Sequence, residues 1–355
     1  MQTDEANTGA PLSTQVPVKD LTRSQISPDL LAALTAEGGG RVVLVTGAGS
    51  SMDWPTNLRS GADYSEAAHH RLVHDGVLGA EDCQRPSDLS ILADEVYTKT
   101  SSQVALTQRL PVGQWQTAAP NLGHSIAAAL LIEGAFRSIV TLNYGLAFQF
   151  ALAQLGKPAS VTIARGPEDH DRIGSRALIY LHRSVESPPE TRVLRKSALE
   201  GSWKEDWEEV VASGALAAPV TLFAGLGSPA AVLTDTVERL SRVGGTSYYF
   251  ADPYPDNDFG KALSPFLKAV FQLGWMQMMQ ALSTRVATDQ TKQWEDCARR
   301  LADEQGIAQI GLPPLVQAIN ELTVVELGHL RSSVACLKLF YGALSRGFGQ
   351  RFWSR

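Results

Sequence analysis

The chain has 355 residues, 44% hydrophobic and 19% charged, with a formal net charge of −6. That is the balance of a globular protein with room for a large core and one or two domains, which excludes a disordered chain. The acidic surplus argues against broad capture of nucleic acid or anionic membrane, and no apolar run is long enough to span a bilayer.

In chain order, residues 1–24 are polar, rich in Thr, Gln and Pro, and expected to be disordered, with no apolar signal-peptide core. Ser27-Pro28-Asp29 then supplies a cap, a first-turn proline and an early acid for a helix to about residue 37, stopped by Gly38-Gly39-Gly40. The apolar run 41–45 (RVVLV) reads as a strand that feeds the turn Gly47-Ala48-Gly49-Ser50-Ser51. Residues 52–120 carry helical patterns at 64–74, 89–99 and 102–110 without a convincing strand, and read as a helical insertion. Further β-branched apolar runs follow at 138–142 (SIVTL), 160–164 (SVTIA), 177–181 (ALIYL), 220–224 (VTLFA) and 247–251 (SYYFA). Helical patterns at 124–136, 147–155 and 230–243 alternate with them. The expected fold is therefore α/β, a doubly wound, mostly parallel Rossmann-like sheet spanning 25–260. Residues 261–355 read as a helical C-terminal region for packing, partner or oligomer contacts.

Ligands of open α/β sheets collect beyond the carboxyl ends of the strands. Those ends carry Gly47, Gly49, Ser50 and Ser51; Asn143 in TLNYG; His182 in IYLHRS; Gly225, Gly227 and Ser228 in FAGLGS; and Asp252 in FADPYP. Glycines let a loop turn sharply and approach a phosphate, while backbone N–H groups and a following helix start face its oxygens. Taken singly, each residue has a plainer reading: a strand-to-helix turn, an Asn cap, a structural histidine. His124 opens a helix and reads as structural. His70 and His74 are spaced i, i+4, but His69, His70 and His74 lack a matching carboxylate or cysteine and read as one helix face, so no metal is expected.

The ordered set GAGSS (47–51), PNLGH (120–124), TLNYG (141–145), LHRS (181–184) and GLGS (225–228) resembles the sirtuin superfamily from about residue 40 to 255. The resemblance implies NAD bound across the sheet. Gly47, Ala48, Gly49, Ser50 and Ser51 would cradle the pyrophosphate, with Thr56 and Asn57 from the next segment. Gly225, Gly227, Ser228 and Asp252 would hold the adenosine side, and Asn143 and His182 would meet the nicotinamide ribose. An imidazole can take a proton from a ribose hydroxyl at neutral pH, and an amide can orient a water or ribose oxygen without adding charge.

The chain also departs from that family. Protein-deacylating sirtuins carry two CxxC pairs for a structural zinc, whereas Cys83, Cys297 and Cys336 form none, a pattern that fits a reducing cytoplasm. MDWPTNLR stands where they have GIPDFR. The resemblance thus shifts toward zinc-free sirtuin-like domains of bacterial antiphage defence, many of which hydrolyse NAD. Such chains occur with a translocase-type ATPase or a short Argonaute, so control by a partner or by homo-oligomerisation is expected. Gly145 stands where the family has an acid and Arg183 where it has a glycine, which favours a catalytically silent module binding NAD or ADP-ribose. A zinc-free deacylase and an unrelated nucleotide-binding α/β protein are the remaining readings.

Overall fold

A computed structural model of the chain describes residues 26–36, 39–156, 161–195 and 207–305. The disordered N-terminus expected at 1–24 and the tail carrying Arg346, Arg351 and Arg355 lie outside the described residues.

Among the described residues, seven parallel strands form one sheet: β1 (Val42–Thr46), β2 (Phe136–Thr141), β3 (Thr162–Ala164), β4 (Ala177–Tyr180), β5 (Val220–Ala224), β6 (Ser247–Ala251) and β7 (Leu267–Phe271). Their spatial order is β3-β4-β2-β1-β5-β6-β7. Central β1 reads VVLVT, and all five of its residues are buried, as a strand covered on both faces requires.

The covering helices are α1 (Pro28–Thr35), α2 (Gly61–His74), α3 (Leu89–Thr100), α4 (Val104–Thr107), α5 (Val112–Thr117), α6 (Leu122–Glu133), α7 (Ala147–Gln154), α8 (Trp207–Leu216), α9 (Ala231–Ser241), α10 (Asp258–Leu263) and α11 (Trp275–Gln305). Alternation along the strands sorts the core into two layers. Val42, Leu44, Leu222 and Tyr249 pack with α1, α6, α7 and α11. Val43, Val45, Phe223 and Phe250 pack with α8, α9 and α10. Connections on the β2 side of β1 therefore cover one face and those on the β5 side the other. The sheet is doubly wound, with its switch point between β1 and β5.

The insertion forms as expected. Helices α2 to α5 build a separate core around Tyr64, Leu72, Leu92, Val96 and Trp115, and none of the described residues 52–120 is in a strand. A capping box between Ser60 and Asp63 starts α2, and Asp88 caps α3. The helix expected over 102–110 shrinks to the single turn of α4.

One reading is corrected. Residues 261–355 were expected to be helical, yet Leu267–Phe271 is a strand at the sheet edge, pairing Tyr249 with Ala269 and Ala251 with Phe271. The sheet thus extends past residue 260. In α11, Trp275, Met278, Met279, Leu282 and Val286 are buried against the core. No helix among the described residues is long and apolar enough to cross a membrane.

Candidate functional site

The strand ends stand level. Thr46 pairs with Thr141 and Ala224, Thr141 with Tyr180, and Ala224 with Ala251. One step further along lie Gly47, Gly225 and Asp252; two steps further, Asn143 and His182. The order along the carboxyl edge is His182, Asn143, Gly47, Gly225, Asp252, centred on the switch point. Four strand spacings cover about 19 Å.

The two glycine turns pack on each other. Gly49 N donates to Gly225 O at 3.0 Å and Gly47 N to Ala224 O at 3.3 Å. A Cβ on Gly49 would sit 2.7 Å from Gly225 Cα, and one on Gly225, whose φ is +68°, would sit 2.7 Å from Ser50 N. Close approach between loops therefore explains these glycines, where the sequence suggested close approach to a ligand. Ser50 N donates to Gly47 O, so three amides of the first turn are spent internally. The helix expected after that turn is a four-residue 3₁₀ turn, Ala48–Ser51. Ala48 is exposed and Gly49 half-buried, whereas Ser50 and Ser51 are buried.

Asn143 holds this turn from the neighbouring strand. Its Nδ2 donates to Gly47 O at 2.9 Å, Ser50 Oγ at 3.1 Å and Ser51 Oγ at 3.3 Å. Ser50 Oγ itself donates to Gly47 O at 2.9 Å. From the other side Asn121, in PNLGH, donates to Ser50 O at 2.9 Å. Asn121 received no role from the sequence, although its place before the α6 run marks it as an N-cap.

His182 is buried, which a strand-end position did not suggest. Burial first, and the adjacent Arg183 charge second, push its pKa down to about 4, so the imidazole is neutral at pH 7. Arg183 has the left-handed φ of 76°, a conformation natural to the glycine expected there. Its Nη1 lies 3.3 Å from Glu208 Oε1 on α8, so the guanidinium is engaged by an acid that sequence reasoning missed. Gly145 packs under α5, where a Cβ would meet Trp115 O at 3.4 Å. Its carbonyl accepts from Tyr180 Oη at 3.2 Å.

The other expected residues divide. Thr56 is buried, and its Oγ1, like that of Thr46, meets no hydrogen-bond partner among the described residues. Asn57 is exposed with φ 46°. Gly227 and Ser228 are exposed, and nothing lies within 4 Å of a Cβ built on Gly227. Asp252 is buried; burial raises its carboxyl pKa, partly offset by hydrogen bonds from Tyr254 N and Asn257. Asn257 Nδ2 also reaches Leu226 O at 3.1 Å, tying the β6 loop to the β5 loop.

Away from this row, His69 is buried while His74 Nδ1 meets Asp75 Oδ1 at 3.0 Å. His124 is buried, accepts from Asn121 N through Nδ1 and closes a capping box, a structural role. A groove of about 620 Å³ lies on the insertion between Arg71, Pro111, Gln114, Pro189 and Arg192, and none of the strand-end row lines it.

No protein-family model matches the chain, and no curated protein matches it. Solved structures that it resembles include a Sir2 homologue in complex with NAD, at 17% identity and TM-score 0.41, covering 73% of this chain and 93% of that one. A mutant Sir2 homologue in complex with ADP-ribose matches at 17% identity and TM-score 0.42, over 75% and 98% of the two chains. Sir2 bound to an acetylated peptide matches at 15% identity and TM-score 0.41, over 80% and 100%. At these values the functional reading rests on this chain's own residues.

Proposed function

We propose that this chain binds NAD along the carboxyl edge of its sheet and hydrolyses it to nicotinamide and ADP-ribose. The observation that carries the reading is the row of His182, Asn143, Gly47, Gly225 and Asp252, each one or two residues past level strand ends. Its centre is the switch point, where doubly wound sheets take dinucleotides, and its length suits an extended one. The buried, unpartnered hydroxyls of Thr46, which leads into the first glycine turn, and of Thr56 fit a polar ligand, since buried polar groups otherwise go unsatisfied at a cost.

In this reading the pyrophosphate lies over Gly47, Ala48, Gly49, Ser50 and Ser51, with Thr56 and Asn57 beside it. The adenosine side reaches Gly225, Gly227, Ser228 and Asp252. The glycosidic C–N bond breaks, nicotinamide leaves with the bonding pair, water attacks the ribose carbon, and one proton is released. His182 accepts a ribose hydroxyl hydrogen bond and then the proton. Its resting pKa of about 4 makes it a weak base, and the negative phosphates of a bound dinucleotide raise that value. Asn143 acts chiefly as a positioning residue, because its amide nitrogen is spent on the glycine turn, and its Oδ1 is the acceptor we assign to a ribose hydroxyl.

The absence of CxxC pairs and the MDWPTNLR segment favour hydrolysis over protein deacylation. We assign the activity to antiphage defence in the cytoplasm, held in check by a protein partner or by self-assembly, because uncontrolled NAD loss harms its own cell. The weak base at His182 favours one second reading, a module that binds NAD or ADP-ribose without cleaving it. Chromatography of NAD incubated with the protein, alone and with its genomic neighbours' products, separates the two. Nicotinamide release supports hydrolysis, and NAD binding without release in every mixture replaces it with the silent module.

A further inference from the structure

Asn121 is wholly buried, and its side chain joins three elements. Oδ1 accepts from His124 N at 3.0 Å, which caps α6, and from Trp275 Nε1 at 3.1 Å, the first residue of α11. Nδ2 donates to Ser50 O at 2.9 Å and reaches Asp53 O at 3.5 Å, on the glycine turn and the segment after it. The seat for Trp275 is close-fitting: a Cβ on Gly123 would clash with Nε1. The indole packs beside His124 and Phe148, with ring centroids 5.8 and 6.2 Å away.

Capping alone does not require this residue. Asp, Ser or Thr caps as well, because only the acceptor is used. An amide alone among the usual caps offers both a carbonyl oxygen for the indole and an NH₂ for the turn. From Trp275, α11 runs for 31 residues, about 46 Å of helix, with Met278, Met279, Leu282 and Val286 seated in the core.

We propose that Asn121 and Trp275 are positioning residues for the glycine turn after β1, so that the docked start of α11 sets the turn's conformation and its affinity for ligand. This rests on the NAD reading for the identity of the ligand but not for the mechanical link. A partner or second copy engaging α11 would then change nucleotide binding without touching the nucleotide.

Two variants of the full chain test the link. Asn121→Asp keeps the cap and the acceptor for Trp275 but loses the donor to Ser50; Trp275→Phe keeps an aromatic ring in the seat but removes the five-membered ring of the indole with its N–H. Amide hydrogen exchange at residues 47–51 and NAD binding by calorimetry are the readouts. Each variant is expected to speed exchange in the turn, and to weaken NAD binding, by about three- to tenfold. For exchange at residues 47–51 the double variant should be no faster than Asn121→Asp, because the turn feels both changes through one amide. Exchange in the turn unchanged, or faster only in step with the whole sheet, overturns the proposal; if Asn121→Asp fails to fold, Trp275→Phe decides between these outcomes by itself. Should the wild-type chain bind no NAD, the functional reading fails, while the exchange measurement still decides the link.

Discussion

Asn143 and Ser50 meet across two neighbouring strand ends: the Asn143 amide nitrogen lies 3.1 Å from Ser50 Oγ, and the same nitrogen lies 2.9 Å from Gly47 O. The shape of the first glycine turn therefore depends on a side chain from just past the end of β2. Asn143→Asp keeps the size but removes the donor and sets a carboxylate against a carbonyl oxygen. Its expected effect is a loss of about 1–3 kcal/mol in stability, read from urea unfolding, together with weaker NAD binding. Unchanged stability and affinity would show that the turn holds its own shape.

The glycines of the two turns should not be equivalent. Gly49→Ala and Gly225→Ala each drive a Cβ to 2.7 Å from the facing backbone, a clash of the kind that costs about 1–3 kcal/mol. Gly227→Ala meets nothing within 4 Å and should stay within about 0.5 kcal/mol of wild type. Thermal unfolding of the three variants measures the contrast, and equal losses would contradict the loop-on-loop explanation.

Arg183 contributes two opposed effects. Arg183→Gly relieves a left-handed residue, a gain of about 1 kcal/mol, but takes away the cation 3.3 Å from buried Glu208. The single variant should be destabilised, and the pair Arg183→Gly with Glu208→Gln should recover stability. Because Arg183 helps to depress the His182 pKa, its removal should raise that pKa in an NMR titration. A value that falls or stays fixed would show that the charge is not felt at the ring.

Buried histidines set the acid limb of stability. The folded pKa is about 3 for His124 and about 4 for His182, both depressed chiefly by burial. Depressed values mean that the unfolded chain takes up protons first. Their contribution is thus complete above pH 6.5 and is lost as pH falls toward 4 and then 3. Each should remove about 2 kcal/mol by pH 5. His124→Gln, which retains a capping-box residue, should flatten the fall of urea midpoint with pH. A wild-type midpoint that is constant from pH 7 to 5 would contradict these pKa values.

Much of the architecture is legible in local pattern. The buried strands β1, β5 and β6 announce themselves as β-branched or aromatic runs, and Ser60, Asp88 and Asn121 stand where caps are needed. The edge strand β7 escapes because LKAVF exposes Lys268 and half-buries Ala269, leaving no clean alternation. At the site, strand-end position picked out Asn143 and His182, but two properties come only from three-dimensional packing. One is the burial of His182 and the depressed pKa that follows. The other is the set of partners from distant sequence: Asn121 and Asn143 on the first glycine turn, Glu208 on Arg183, and Trp275 on Asn121.

The most direct test is nicotinamide release measured by chromatography for the wild type, His182→Ala and Asn143→Ala, with NAD binding and unfolding followed in parallel. The account predicts release by the wild type, alone or with its activating partner, and a fall of about 100-fold or more in each variant while the fold persists. Turnover retained in both folded variants would contradict it.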